Sequence, residues 1–85
     1  MDTNEAIDPL VIRFAATALI LCNGYTINTD VRKSLQQKGY ELSPEDVSQW
    51  LLVICFWEGW VIKDNGKHRT YFFPKLSATP PFSDN

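Results

Sequence analysis

The residues that could carry out chemistry are few and widely separated in this chain of 85 residues. The one histidine, His68, stands apart from the two cysteines, Cys22 and Cys55, and no cysteine pair has the spacing of a zinc site. The sequence contains no phosphate-binding glycine loop and no recognisable Ser-His-Asp set. We therefore expect no enzyme activity, no metal site and no cofactor.

Both cysteines lie inside apolar runs, which predicts two buried, free thiols. The first residues carry acidic and no basic side chains, unlike a secretory signal peptide. The longest apolar stretch, residues 10–22, includes Arg13 and is shorter than the roughly 20 residues of a membrane-spanning helix. We therefore expect a cytoplasmic protein with no membrane association.

Basic side chains, which could contact phosphate groups, fall into two blocks although the net charge of the whole chain is -2. Residues 31–40 carry three basic and no acidic side chains, whereas residues 41–58 carry four acidic and no basic ones. The basic candidates for DNA contact, with the neighbouring histidine, are Arg32, Lys33, Lys63, Lys67, His68 and Arg69. The charges around residues 63–69 have an alternative interpretation, because an exposed turn also needs charge for solubility.

The first element that must position these groups is a helix over residues 9–22. Asp8-Pro9 is a strong start signal, and Asn23-Gly24 is typical of a helix end. This helix is apolar almost all round, and so short a chain has little material to bury it on two sides. We therefore expect a second chain to cover part of it, as a homodimer, on the face of Arg13, Thr17 and Ile20.

A short strand at residues 25–27 and two further helices follow. The second helix is expected to begin after a cap at Asn28 or Thr29 and to run to Lys38, before Gly39. Ser43-Pro44 starts the third helix, which runs to about Trp57 and ends by Gly59. The predicted core-facing residues of these two helices are Val31, Leu35, Val47, Trp50, Leu51, Ile54 and Trp57.

The outer face of the third helix offers two kinds of side chain. Ser48 and Gln49 are the candidates for reading DNA bases. Leu52 and Phe56 form an apolar strip that suits a protein partner if it is exposed. The alternative is that the core face lies elsewhere and both residues are buried.

Asn65-Gly66 stands between two runs that favour strands, which predicts a hairpin with a two-residue type I′ turn. Counting outward pairs Lys63 with His68 and Ile62 with Arg69. One face of the hairpin then carries Trp60, Ile62, Arg69, Tyr71 and Phe73, and its base packs on the helices. Residues 1–8 are interpreted as an N-terminal arm, and residues 74–85 as a flexible Pro-rich tail.

The order of helix, short strand, helix, helix and hairpin resembles the winged helix-turn-helix superfamily. The resemblance covers residues 9–73 and depends on Lys38-Gly39, on Ser43-Pro44 and on the segment VSQWLLVICFWEGWVIKDNGKHRTYFF. It implies an α+β fold of three helices with a C-terminal β-hairpin wing. It also implies a module that binds duplex DNA, with the third helix in the major groove.

Two functional hypotheses remain at this point. The first is a dimeric transcriptional regulator that contacts DNA phosphates with the second helix and the wing. The alternative is a protein–protein interaction or dimerisation module that does not bind DNA. Its predicted interface residues are Arg13, Thr17, Ile20, Leu52 and Phe56.

Overall fold

Three helices and three strands follow one another along residues 8–74, the part of the chain that the computed structural model describes. The helices are α1 (Pro9–Asn23), α2 (Asn28–Gln37) and α3 (Pro44–Glu58), and the strands are β1 (Thr26–Ile27), β2 (Val61–Asp64) and β3 (Arg69–Phe72). The predicted α+β class is confirmed, and the arrangement is consistent with a winged helix. Apart from Asp8 and Pro74, the predicted arm and tail lie outside the described residues.

The ends of α1 and α3 follow the capping signals in the sequence. The Asp8 carboxylate accepts a hydrogen bond from the backbone N–H of Leu10 at 3.0 Å. The Ser43 hydroxyl accepts one from the backbone N–H of Asp46 at 3.1 Å. Gly24 ends α1 with a φ of 90°, a left-handed conformation that glycine adopts without steric cost. The predicted bounds of these two helices are therefore confirmed to within one residue.

The start of α2 differs from the prediction. The helix already includes Asn28, its cap position is Ile27, and no side chain caps it. The prediction of Asn28 or Thr29 as the cap is wrong because β1 runs directly into the helix without an intervening loop. At the other end, Gly39 has a φ of 93° and the N–H of Tyr40 donates to the Leu35 carbonyl, so the helix stops as expected.

The three strands form one antiparallel sheet in the order β1-β3-β2. The hairpin lies where the Asn65-Gly66 signal predicts it, but its register differs by two residues, with Ile62 opposite Tyr71 and Asp64 opposite Arg69. A four-residue loop, residues 65–68, therefore replaces the predicted two-residue turn. The type I′ turn is wrong because Asn65 does not have the positive φ that this turn requires.

Side-chain hydrogen bonds account for the longer loop. The Asn65 amide oxygen accepts from the backbone N–H groups of Lys67 and His68 at 2.9 and 3.0 Å. The Asp64 carboxylate accepts from the N–H of Gly66 at 2.8 Å. Such local bonds compete with strand pairing. Since the register differs by an even number of residues, the predicted division of side chains between the two hairpin faces still holds.

The core lies between the three helices and the inner face of the sheet. Its fully or nearly buried apolar members are Ile12, Ala15, Ala16, Ile20, Val31, Leu35, Val47, Leu51, Ile54, Cys55 and Tyr71. Trp50 is half-buried, whereas Trp57 is 61% exposed, so the prediction that Trp57 faces the core is wrong. The buried face of α3 is turned toward Cys55, and Trp57 instead lies beside Trp50, with ring centroids 6.3 Å apart.

Candidate interaction surfaces

A polar groove forms where the first turns of α2 and α3 meet the hairpin loop. It consists of two adjoining concavities of about 280 and 360 Å³ that share Asn28 and Ser48. Five of the eight predicted DNA-contact residues line it: Ser48, Gln49, Lys67, His68 and Arg69. The sequence interpretation missed Asn28 as a groove residue, because an asparagine before a helix was assigned to capping.

Arg69 is held within the polar groove by contacts inside the chain. Its guanidinium donates to the Ser48 hydroxyl at 2.8 Å and lies 3.6 Å from the Asp64 carboxylate. The Arg69 side chain therefore fastens the hairpin to α3, and its charge is partly balanced before any ligand arrives. This contact joins Ser48 of α3 to Arg69, the residue that follows the hairpin loop.

The other three predicted DNA-contact residues lie outside this groove. The Arg32 guanidinium donates to the Leu42 carbonyl at 2.8 Å and so ties α2 to the connection before α3. Lys63 lies on the opposite face of the hairpin, with its ammonium 5.8 Å from the centroid of the Phe72 ring. Lys33 is exposed on α2 and makes no side-chain hydrogen bond or ion pair within residues 8–74.

The charges around the polar groove are mixed. Glu45 lines one concavity and Asp64 the other, and Asp46 is exposed in the same first turn of α3. These carboxylates offset Lys67 and Arg69, the two lysine and arginine side chains that line the groove. The groove therefore offers hydrogen-bonding groups but little net positive charge for phosphate.

Two polar atoms beside the groove are buried without a hydrogen-bond partner in the described part of the chain. They are the Asn28 amide oxygen and the Tyr71 hydroxyl. Burial raises the pKa of Tyr71, and the nearby Arg69 guanidinium opposes this rise. The Tyr71 hydroxyl therefore stays protonated at neutral pH and remains a hydrogen-bond donor.

A second surface runs along α1 and is apolar. Leu10, Phe14, Thr17 and Leu21 follow one another at spacings of four, three and four residues, so they share one face of the helix. We call these four residues the α1 stripe. Phe14 is 76% exposed, both leucines are more than half exposed, and Thr17 is partly exposed. The stripe therefore presents large apolar side chains to solvent.

The predicted interface face of α1 is wrong at one position, Ile20. Ile20 is 3% exposed and belongs to the core, so it is not available on the outer surface of α1. Arg13 is exposed, but its guanidinium lies 2.9 Å from the Glu58 carboxylate and so joins α1 to α3. Of the predicted α1 residues, only Thr17 lies on the stripe.

An open groove of about 730 Å³ extends the α1 stripe toward the sheet. Leu21 forms one wall, Val61 and Phe72 lie on the outer hairpin face, and Gly24 lies at the end of α1. A smaller groove of about 380 Å³ lies beside Phe14 and includes Ala18 and Tyr40. Grooves lined in this way accept apolar side chains.

The third surface is the C-terminal half of the outer face of α3. It consists of Leu52, Val53, Phe56 and Trp57, which we call the α3 patch. Phe56 is 87% exposed and the other three are exposed to lesser degrees. The alternative that Leu52 and Phe56 are buried is therefore wrong. The same helix carries Glu45 and Gln49 one to three turns earlier, so its outer face changes from acidic to apolar along its length.

The cysteines differ from the prediction of two buried thiols. Cys55 is buried, and this burial raises its pKa from 9.0 to about 11. Cys22 is exposed, because it lies near the solvent-facing end of α1, and the prediction for it is wrong. Residues 8–74 contain no cluster of three or more His, Cys, Asp or Glu side chains that fits a metal ion.

None of the helices within residues 8–74 has the length and apolar character needed to cross a membrane. Comparison of the chain with protein-family models, curated proteins and solved structures found no match. The fold itself defines a small α+β domain with three helices and a three-stranded antiparallel sheet.

Proposed function

We propose that this chain is a non-catalytic winged-helix module that binds other proteins through the α1 stripe and the α3 patch. One observation carries the proposal. Within residues 8–74, five large apolar side chains are more than half exposed on two helices: Leu10, Phe14, Leu21, Phe56 and Trp57. Both cysteines are free thiols, which supports a location in the reducing cytoplasm.

The size of the exposed surface supports this role. With about 200 Å² for a whole aromatic side chain, Phe56 and Trp57 alone expose roughly 300 Å² within the α3 patch. The largest single apolar patch on a typical monomer is about 300–600 Å² and is often functional. Aromatic side chains are also enriched at protein interfaces. Binding to a protein partner would remove these apolar surfaces from contact with water.

The charges on α3 favour a protein partner over DNA. A helix that reads bases in the major groove needs hydrogen-bonding or cationic groups in its outer face. If α3 lay in the major groove of DNA, Glu45 and Asp46 would lie near phosphates of the same charge. The exposed ring of Phe56 would then face the polar edges of the DNA bases. The outer face of α3 is suited to an apolar protein surface whose rim is basic.

Phe56→Ser tests the proposal, and Gln49→Ser is the matched control. Positions 49 and 56 lie two turns apart on the same outer face of α3, and both are exposed. Proteins captured by the full chain are identified, purified and titrated against each variant by calorimetry. We expect Phe56→Ser to weaken binding by about 100-fold and Gln49→Ser by less than about threefold.

The two variants also define the result that contradicts the proposal. If every purified partner binds Phe56→Ser and Phe14→Ser as tightly as the original chain, the apolar surfaces do not carry binding. Because Phe56 is almost fully exposed, its substitution leaves the core intact, and circular dichroism checks that the variant is folded.

DNA binding is the second candidate function, and the polar groove favours it. Lys67 and His68 line one concavity of this groove and Gln49 the other, with Asn28 in both, which brings hydrogen-bonding groups together for contact with a phosphate backbone and base edges. This proposal predicts binding to duplex DNA that falls steeply with salt and that weakens in Lys67→Ala. A chain that shifts no duplex at low salt excludes it.

A further inference from the structure

We propose that a second copy of this chain docks on the α1 stripe, with the two α1 helices antiparallel across a two-fold axis. The inference depends on the interaction role proposed above and names the partner for one of its two surfaces. The α3 patch stays free in this dimer for a different protein.

The spacing of the stripe is the first argument for a second copy. Positions 10, 14, 17 and 21 follow the alternating steps of four and three residues that place side chains along the seam between two helices packed side by side. The spacing of four, three and four is also the same in both directions. An antiparallel copy aligned on the middle of the stripe places Leu10 opposite the partner's Leu21, and Phe14 opposite the partner's Thr17. A large side chain then meets a small one at each central position.

The groove beside Leu21 is the second argument. This groove has a volume of about 730 Å³ and lies at the end of the stripe, with Val61 and Phe72 in its wall. The antiparallel arrangement brings the partner's Leu10 to this end of the stripe, where the groove is open and mostly apolar, with Lys63 as its one charged lining residue. The two-fold axis repeats the contact, so both copies of Leu10 gain an apolar surrounding.

The charges allow the same arrangement. The stripe contains no charged side chain, so two copies approach without repulsion along their contact line. Arg13 on the flank of the stripe is paired with Glu58 of its own chain at 2.9 Å. No strong like-charge contact between the two copies is therefore expected from this flank.

The area of the surface predicts how strong the dimer is. Leu10, Phe14 and Leu21 expose about two thirds of their surface on average, or roughly 350 Å² for each copy. A standard stable interface buries about 800 Å² on each partner, and the groove walls supply only part of the difference. We therefore expect a reversible dimer whose population depends on concentration.

Sedimentation equilibrium of the full chain from about 1 μM to about 1 mM tests the dimer. We expect the mass to rise from 9.7 kDa toward twice that value. Phe14→Ser should weaken association by at least about 100-fold, whereas Phe56→Ser on α3 should leave it unchanged. A monomer mass at all concentrations, or equal effects of the two variants, overturns the proposal.

A crosslinking experiment tests the antiparallel orientation. Leu10→Cys and Leu21→Cys are made as separate variants in a Cys22→Ser background and are oxidised alone and as a mixture. The antiparallel dimer predicts a disulfide between the two different variants that forms faster than either self-linked product. Faster self-linking of Leu10→Cys indicates parallel helices and contradicts the proposed geometry.

The outcomes separate this inference from the proposed function. A monomeric chain that binds a partner protein through Phe56 overturns the dimer and leaves the interaction role intact. A dimer that depends on Phe14 supports the inference, even when the α3 patch binds no partner.

Discussion

Leu51 and Leu52 are consecutive leucines of α3 with opposite environments, and they test the orientation on which the α3 patch depends. Leu51 is fully buried, whereas Leu52 is 38% exposed. We predict that Leu51→Ala lowers the free energy of unfolding by about 3–4 kcal/mol and Leu52→Ala by about 1 kcal/mol. The two substitutions remove the same atoms from the same helix, so the difference in helix propensity cancels.

The magnitudes follow from what surrounds each side chain. Alanine at Leu51 loses the transfer free energy of the leucine and leaves a cavity in the core, a combination that costs roughly 2.7–5 kcal/mol. Alanine at Leu52 leaves no closed cavity because that side of α3 is open to solvent. It loses only part of the roughly 1.5–3 kcal/mol gained by complete burial of a leucine.

Urea unfolding followed by tryptophan fluorescence measures both values. Trp50 is half-buried in the same helix and its emission should change when α3 leaves the core. A domain of this length has a total stability of about 4–13 kcal/mol, so Leu51→Ala can leave little folded protein. Ile54→Val, at another fully buried position, is the milder second variant and should cost about 1 kcal/mol.

Equal losses for Leu51→Ala and Leu52→Ala would refute the reasoning. Consecutive positions on a helix differ by about 100° in direction, so equal losses mean that α3 faces the core differently. The α3 patch would then belong to the core, and the proposed function would lose one of its two surfaces. A loss larger at Leu52 than at Leu51 has the same meaning.

Four further predictions test the cap of α3, the reactivity of the thiols, the pH dependence of stability and the Arg13–Glu58 ion pair. Ser43→Ala should lower the free energy of unfolding by about 1 kcal/mol in urea, and Ser43→Asp should restore most of it, because either side chain caps α3. At pH 8, iodoacetamide should modify Cys22 long before Cys55, as peptide mass mapping would show, because burial raises the pKa of Cys55 to about 11. Since that folded-state pKa is above the ordinary 9.0, the Cys55 contribution to stability should be lost as pH rises from about 9 to about 11. In urea titrations over this pH range, Cys55→Ala should therefore show a smaller decrease in the free energy of unfolding with pH than the original chain. Arg13→Ala should cost less than about 1 kcal/mol, and repeating the urea measurement in 1 M salt should remove most of the difference, because its pair with Glu58 is partly exposed.

Most element positions could be predicted because the signals that set them are local. Asp8-Pro9 and Ser43-Pro44 start helices through hydrogen bonds that span two or three residues. Gly24, Gly39 and Gly59 end them through the positive φ that glycine adopts easily. These interactions need no knowledge of the rest of the fold.

The hairpin shows where local signals compete. Asn-Gly predicts a type I′ turn, but the same asparagine side chain accepts two backbone hydrogen bonds within the loop. Asp64 adds a third, and the loop grows to four residues. The position of the hairpin could therefore be predicted, whereas its register depends on which set of hydrogen bonds is more stable.

The burial of individual α3 residues could be predicted only in part, because it depends on tertiary packing. An almost entirely apolar helix has a weak periodic signal, so a small rotation exchanges Cys55 for Trp57 in the core without changing the pattern. The same ambiguity on α1 placed Ile20 on the surface and Cys22 in the core. The charged and capped residues carry information about position that uniform apolar runs do not.

The two kinds of surface differ in whether folding alone accounts for them. Glu45 and Asp46 in the first turn of α3 stabilise the helix through its dipole, and Arg32 and Arg69 bond to groups of their own chain. Each of these charged residues therefore has a structural role that does not require DNA. Phe14 and Phe56 have no such role, since three quarters or more of each side chain is exposed and neither belongs to the core. Exposed apolar surface promotes association and gives an isolated chain little stability, so the role of these residues is best sought in contacts with another protein surface.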